Sequence, residues 1–132
     1  MQKTEKIAKT ESTTQSRAED IVHQYFDLLD AHLDDIVHGR AVQMMQLKQI
    51  ASLLFVSHYH LTDVVKQTTG HHPCYFYDRK IIEIAQKMLA ETALPISEIA
   101  ITLTYDPSNF SKFFKKMTGQ TPGHFRSRQR NG

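Results

Sequence analysis

The stretch Asp106-Pro107-Ser108-Asn109-Phe110-Ser111-Lys112-Phe113-Phe114-Lys115-Lys116-Met117-Thr118-Gly119 is where the fold can be read. Asp106 is a good N-cap, and Pro107 falls at the first helical position, where its missing N–H and fixed φ cost nothing. Phe110, Phe113 and Phe114 recur at helical spacing toward a core, and Gly119, with Pro122 beyond it, stops the helix. Just upstream, Ile96, Ile99 and Leu103 mark a shorter helix over 96–103, with Ala100 leaving room for a close neighbour. Thr104-Tyr105-Asp106 is the turn between them. Helix, tight turn, helix and glycine stop is the helix-turn-helix plan.

Working outward, the same plan recurs 49 residues earlier without a gap. Ile50 and Ala51 fall on Ile99 and Ala100, Leu54 on Leu103, Ser57 on Asp106, Leu61 on Phe110, and Val64 and Val65 on Phe113 and Phe114. The register continues through Lys66 on Lys115, Thr69-Gly70 on Thr118-Gly119, Pro73 on Pro122, Phe76 on Phe125 and Arg79 on Arg128. Matches in both the apolar and the turn positions make this a duplicated unit. The first copy reads as a helix over 47–54, the turn Phe55-Val56-Ser57, and a second helix that stops at Gly70. Between the copies, 75–91 reads as a linker helix with Ile81, Ile82, Ile84, Ala85, Met88 and Leu89 inward. At about 1.5 Å per residue such a rod is long enough to set the two copies apart at a fixed distance.

Residues 1–17 are rich in Thr, Ser, Lys, Glu and Gln and read as a mobile tail. From Ala18 onward, Ile21, Val22, Tyr25, Phe26, Leu29, Leu33, Ile36 and Val37 recur at helical spacing between aspartates, giving an acidic amphipathic helix over 18–38 that ends near Gly39. The expected organisation is therefore all-α: a tail at 1–17, a helix at 18–38, and a domain at 39–132 that holds the two helix-turn-helix units. Within that domain the helix-turn-helix units are expected at about 47–70 and 96–119.

The 132 residues suit one folded unit, and 40% hydrophobic with 23% charged residues is a soluble composition. No apolar run approaches the roughly 18 to 20 residues of a membrane span, and the N-terminal stretch lacks the apolar core of a secretion signal. A single cysteine, Cys74, has no internal disulfide partner, so a cytoplasmic protein is expected. Charge is divided along the chain. Residues 1–37 carry four Lys or Arg against eight Asp or Glu, and residues 38–132 carry twelve against six. A basic C-terminal body suits a polyanionic partner.

If the second helix of each pair enters a major groove, its outward side chains must reach bases and phosphates. In the first copy these are His58, Tyr59, Thr62, Asp63 and Lys66. In the second they are Ser108, Asn109, Ser111, Lys112, Lys115 and Lys116, with Arg126, Arg128 and Arg130 adding charge nearby. Asn109 and Lys112 suit adenine or guanine edges, and Ser108 and Ser111 suit phosphates or either base. Asp63 is repelled by phosphates but could accept from a cytosine amino group. Each face also reads as the solvated side of an amphipathic helix; the duplication favours DNA. The run His71-His72-Pro73-Cys74 contains metal-ligand types without a second pair, and reads as a turn. His58 and His60 point in different directions, and Cys74 has no adjacent base. Neither an active site nor a cofactor is expected.

The residues now assembled resemble the DNA-binding domain of AraC/XylS regulators over about 41–128. The first copy, from Leu47-x-x-Ile50-Ala51 to Thr69-Gly70, is similar to the family's first helix-turn-helix. The second, from Ile96-x-x-Ile99-Ala100 through Asp106-Pro107-Ser108-Asn109-Phe110 to Gly119-Gln120-Thr121-Pro122 and Phe125-Arg126, resembles its signature stretch. The resemblance implies two recognition helices in adjacent major grooves, promoter binding, contact with RNA polymerase and an activator role. It puts base reading on Tyr59, Thr62, Asp63, Ser108, Asn109, Ser111 and Lys112. Two departures stand out: Thr104 and Tyr105 replace the family's glycine and aromatic, in a turn that reads as one residue short, and the ligand-sensing domain of many relatives is not expected within these 132 residues. The acidic helix has three readings: first helix of the DNA-binding domain, dimerisation or partner-binding helix, or remnant of a sensor. A helical adaptor or anti-regulator working through protein contacts is the alternative function.

Overall fold

The computed structural model describes the backbone of residues 2–131 and the side chains of residues 17–131. Among the described residues there are seven helices and no strand: α1 (Gln2–Val37), α2 (Leu47–Leu53), α3 (His58–Thr69), α4 (Pro73–Glu91), α5 (Ile96–Thr102), α6 (Pro107–Thr118) and α7 (Pro122–Asn131). Length alone suggested one folded unit, whereas the chain forms two compact ones. The first combines Met1–Asp30 with Met45–Tyr75, and the second combines Ala31–Met44 with Phe76–Gly132. Each contains one helix-turn-helix and closes its own core.

In the first unit the buried side chains are Val22, Tyr25 and Leu29 of α1, Ile50 and Ala51 of α2, and Leu61 and Val65 of α3. Helix α2 packs on α3. Tyr25 is fully buried, and its hydroxyl donates to the Pro73 carbonyl at 2.7 Å, so a polar group that would be costly to bury is satisfied there. Helix α2 ends one residue sooner than the periodicity suggests, because Phe55 takes a left-handed φ of 59°. The N–H of Val56 then reaches the Ala51 carbonyl at 3.1 Å and that of Phe55 the Ser52 carbonyl at 3.1 Å, the pair of bonds that closes a Schellman motif.

The second unit repeats this in detail. Thr104 is left-handed at φ 67°, with Tyr105 N–H on the Ala100 carbonyl at 2.8 Å and Thr104 N–H on the Ile101 carbonyl at 2.9 Å. Its core holds Leu33 and Ile36 of α1, Ile81, Ile82, Ala85 and Leu89 of α4, Ile99, Ala100 and Leu103, and Phe110 and Phe114 of α6. Phe114 meets Phe125 edge-on at 5.6 Å, and Tyr105 stacks on Phe113 at 5.3 Å. Phe113 is nevertheless half-buried, as Val64 is in the first copy, where the spacing pointed both into the core.

Other differences from the sequence reading have local causes. The backbone of α1 is helical from Gln2, ahead of the expected start at Ala18. The side chains of residues 1–16 lie outside the described residues, and the buried positions begin with the apolar spacing, at Val22. Helix α4 begins at Pro73 rather than Tyr75 because His72 caps it: Cys74 N–H donates to His72 Nδ1 at 3.0 Å. The His71-His72-Pro73-Cys74 run is thus a helix start. Helix α7 was not expected, since Phe125 is the only large apolar residue in it. It is entered through Thr121, whose hydroxyl accepts from His124 N–H at 3.2 Å.

Candidate nucleic-acid interface

Helix α6 is held at both ends. One Asp106 carboxylate oxygen accepts from Ser108 N–H at 3.1 Å, Asn109 N–H at 3.2 Å and the Ser108 hydroxyl at 3.0 Å. The Asn109 N–H, with the Ser108 hydroxyl behind it, holds this carboxyl below the usual carboxylate range, and Lys112 adds to the effect. At the other end Gly119 takes φ 82° and returns its N–H to the Lys115 carbonyl at 2.8 Å. Phe110 and Phe114 are fully buried, so the helix has one rotational setting. That setting leaves Ser108, Asn109, Lys112, Lys115 and Lys116 exposed and Ser111 half-buried. Lys115 and Lys116 also occupy the last turn, where positive charge suits the helix dipole.

Helix α3 has the same frame and different contents. The Ser57 hydroxyl caps it by accepting from His60 N–H at 3.0 Å, and Gly70 at φ 83° ends it. Even the flanking hydroxyls agree: Thr69 donates to the Val65 carbonyl at 2.6 Å and Thr118 to the Phe114 carbonyl at 2.9 Å. On the outward side Tyr59, Asp63 and Lys66 are exposed, while His58 and Thr62 are half-buried. The rings of His58 and Tyr59 lie 4.0 Å apart. One lysine beside one aspartate makes this face nearly neutral, against three lysines and no acid on α6.

Arg126 has a different placement from the other site candidates. Its Nε donates to the Leu89 carbonyl at 3.0 Å and its Nη2 to the Thr92 carbonyl at 3.3 Å, where Arg130 also donates. These are carbonyls at the C-terminal end of α4 that lack helical partners, and the guanidinium satisfies them. Burial, and then the neighbouring Arg130, lower its pKa from the usual arginine value. The structure thus separates Arg126 from the exposed lysines and ties α7 to α4.

Sequence reasoning also passed over Asp78 on α4. Burial raises its carboxyl pKa, opposed by Lys116, and burial, with Asp78 adding to it, raises that of Tyr105. A half-buried acid therefore lies within electrostatic reach of an α6 lysine. No spacing signal marks Asp78, because only the fold brings it near α6. Among the described residues no three His, Cys, Asp or Glu side chains are placed to hold a metal ion, and no helix is long and apolar enough to cross a membrane.

The sequence matches the helix-turn-helix domain family over residues 50–128. It is 30% identical over 109 residues to the uncharacterized HTH-type transcriptional regulator YtdP of Bacillus subtilis (strain 168), covering 82% of the chain but 14% of that relative. The fold is similar to that of a transcriptional regulator with an AraC-type DNA-binding domain from Chromobacterium violaceum, at a TM-score of 0.72 and 19% identity, covering 86% of this chain and 96% of that one. It is likewise similar to the DNA-binding domain of AdpA, a global transcriptional factor crystallised in complex with a target DNA. There the TM-score is 0.63 and the identity 17%, with coverage of 76% and 94%. The chain thus spans a small part of the curated relative and nearly all of each isolated structure.

Proposed function

The chain belongs to the AraC/XylS-type helix-turn-helix family, and from that premise we propose that it is a transcription regulator that reads two successive major-groove segments of a promoter with α3 and α6. The observation that carries this reading is the exposed face of α6. Asn109, Lys112, Lys115 and Lys116 stand in solvent on a helix capped at both ends and anchored by two fully buried phenylalanines. Groups held this way suit base edges and phosphates without a large ordering cost on binding. Ser108 and Ser111 supply further donors, and α3 contributes His58, Tyr59, Thr62, Asp63 and Lys66. Arg126 acts here as a positioning residue that secures the end of α4. Activation through RNA polymerase and a homodimer through residues 18–38 belong to the same proposal. The acidic face of α1, which phosphates would repel, is the surface suited to a protein partner.

The test is selection of bound fragments from random duplex DNA, followed by titration at several salt concentrations. Asn109→Ala or Lys112→Ala is expected to weaken binding to the selected sequence by about 1 to 3 kcal/mol. Lys116→Ala weakens binding to every duplex and lowers the slope of log K against log salt by about 1. Arg126→Ala leaves that slope unchanged. Absence of salt-dependent retention on any duplex, with capture of a protein instead, overturns the reading in favour of a helical adaptor.

A further inference from the structure

The duplication supplies an internal control for every surface position. Tyr59 in the first recognition helix corresponds to Ser108 in the second, at the same place after the N-cap of an equivalent helix. Since the second copy folds with a serine there, an aromatic ring is not a requirement of the motif. Yet Tyr59 keeps 73% of its surface exposed, at an apolar cost that a serine avoids. Side chains of a helix tilt toward its N-terminus, so a ring at the second helical position leans past the helix start, the end that enters the groove. The 4.0 Å contact with the His58 ring restricts the orientation of Tyr59 before any ligand arrives.

We propose that the His58–Tyr59 ring pair reads the 5-methyl groups of thymine, making the first unit a detector of T·A pairs by apolar contact while the second reads by hydrogen bonds and charge. The inference rests on the DNA-binding reading of α3. Its chemical basis is a process of elimination among groove features. Major-groove base edges present hydrogen-bond donors and acceptors and one apolar group, the thymine methyl. A face carrying two rings, with one lysine offset by Asp63, is poorly suited to phosphates and well matched to that methyl. A phosphate contact from the Tyr59 hydroxyl is the competing use of the same residue, and it is indifferent to sequence.

The experiment takes the full chain and its selected duplex and replaces each thymine in turn by uracil, which removes the methyl and keeps the hydrogen-bonding edge. For the unaltered protein, uracil at one or two positions is expected to weaken binding about fourfold per methyl. Tyr59→Phe retains that loss, and Tyr59→Ser abolishes the difference between thymine and uracil while the protein still binds DNA. Two results overturn the proposal and leave the DNA-binding reading intact. One is uracil-insensitive binding by the unaltered protein. The other is a Tyr59→Phe variant that loses affinity equally on all sequences. If no duplex is selected at all, the functional reading fails first and this one with it.

Discussion

Leu61 of α3 and Phe110 of α6 hold the same place in their respective units, and both are fully buried. Around them the caps, the left-handed turn residue and the glycine stop are repeated, down to the hydroxyl of the threonine before each glycine. The contents are not repeated. Helix α6 puts two phenylalanines into its core and turns a cationic face outward, whereas α3 puts Leu61 and Val65 into its core and turns out a nearly neutral face bearing an exposed tyrosine. Backbone punctuation therefore specifies the motif, and within it core volume and surface charge are free to diverge. This is the expected behaviour when local signals and a periodic apolar pattern agree on one structure.

The comparison is tested most severely in the cores. Phe110→Ala is expected to destabilise by about 3 to 5 kcal/mol and Leu61→Ala by about 2 to 5 kcal/mol, measured by denaturant unfolding. The sharper variant is Leu61→Phe, which puts the second unit's residue into the first. If each core is packed for its own side chains, overpacking costs about 1 to 3 kcal/mol. A variant as stable as the parent would show the two cores to be interchangeable.

Acid should distinguish the units next. Burial holds the His32 imidazole, in the second unit, below its ordinary value of 6.5, with Asp35 opposing the shift. The stability of that neutral ring is present above 6.5 and is lost as pH falls from there toward the lowered folded-state value. The depressed Asp106 carboxyl acts lower on the scale: its contribution is present above 3.8 and is lost as pH falls through the folded-state value. The first unit is capped by Ser57, which does not titrate. Ser57→Ala is expected to cost about 1 kcal/mol at every pH. Amide protection in α6, taken relative to the intrinsic exchange rate at each pH, should therefore fall on acidification more than in α3, and Asp106→Ser should remove the more acidic step. An equal fall in both helices contradicts the assignment.

The sequence carried most of the fold because its signals are local. Asp106-Pro107, Ser57, Gly70 and Gly119 each act within one turn of helix, and apolar spacing marks Leu61, Val65, Phe110 and Phe114 without knowledge of their partners. The features it missed depend on contacts distant in sequence. The division into two compact units is a property of how contacts cluster, invisible to chain length. Arg126 reads as one more basic residue until the carbonyls of Leu89 and Thr92, 37 and 34 positions away, are found beside it. Asp78 and the buried His32 are marked by no pattern, because their surroundings are assembled only in the folded chain. The outward faces of α3 and α6 were legible as lists of residues, whereas the ring contact of His58 with Tyr59 depends on side-chain conformations that spacing leaves open.

The smallest expected effect bears on the feature the two units share most closely. Phe55 and Thr104 occupy left-handed backbone, where a Cβ costs roughly 1 to 2 kcal/mol and glycine is at ease. Phe55 is 94% exposed, so its ring gives the core nothing in return. Phe55→Gly and Thr104→Gly are each expected to relieve that strain and to lose about 0.4 to 1 kcal/mol of it to the greater freedom of an unfolded glycine. The net is stabilisation of about 0.5 to 1 kcal/mol, visible as a small rise in the unfolding midpoint. Equal gains would mean that both turns carry strain of the same origin. A gain at Thr104 with none at Phe55 would reveal that the exposed phenylalanine makes a stabilising contact, and so would break the equivalence of the two turns at the position where their backbones agree best.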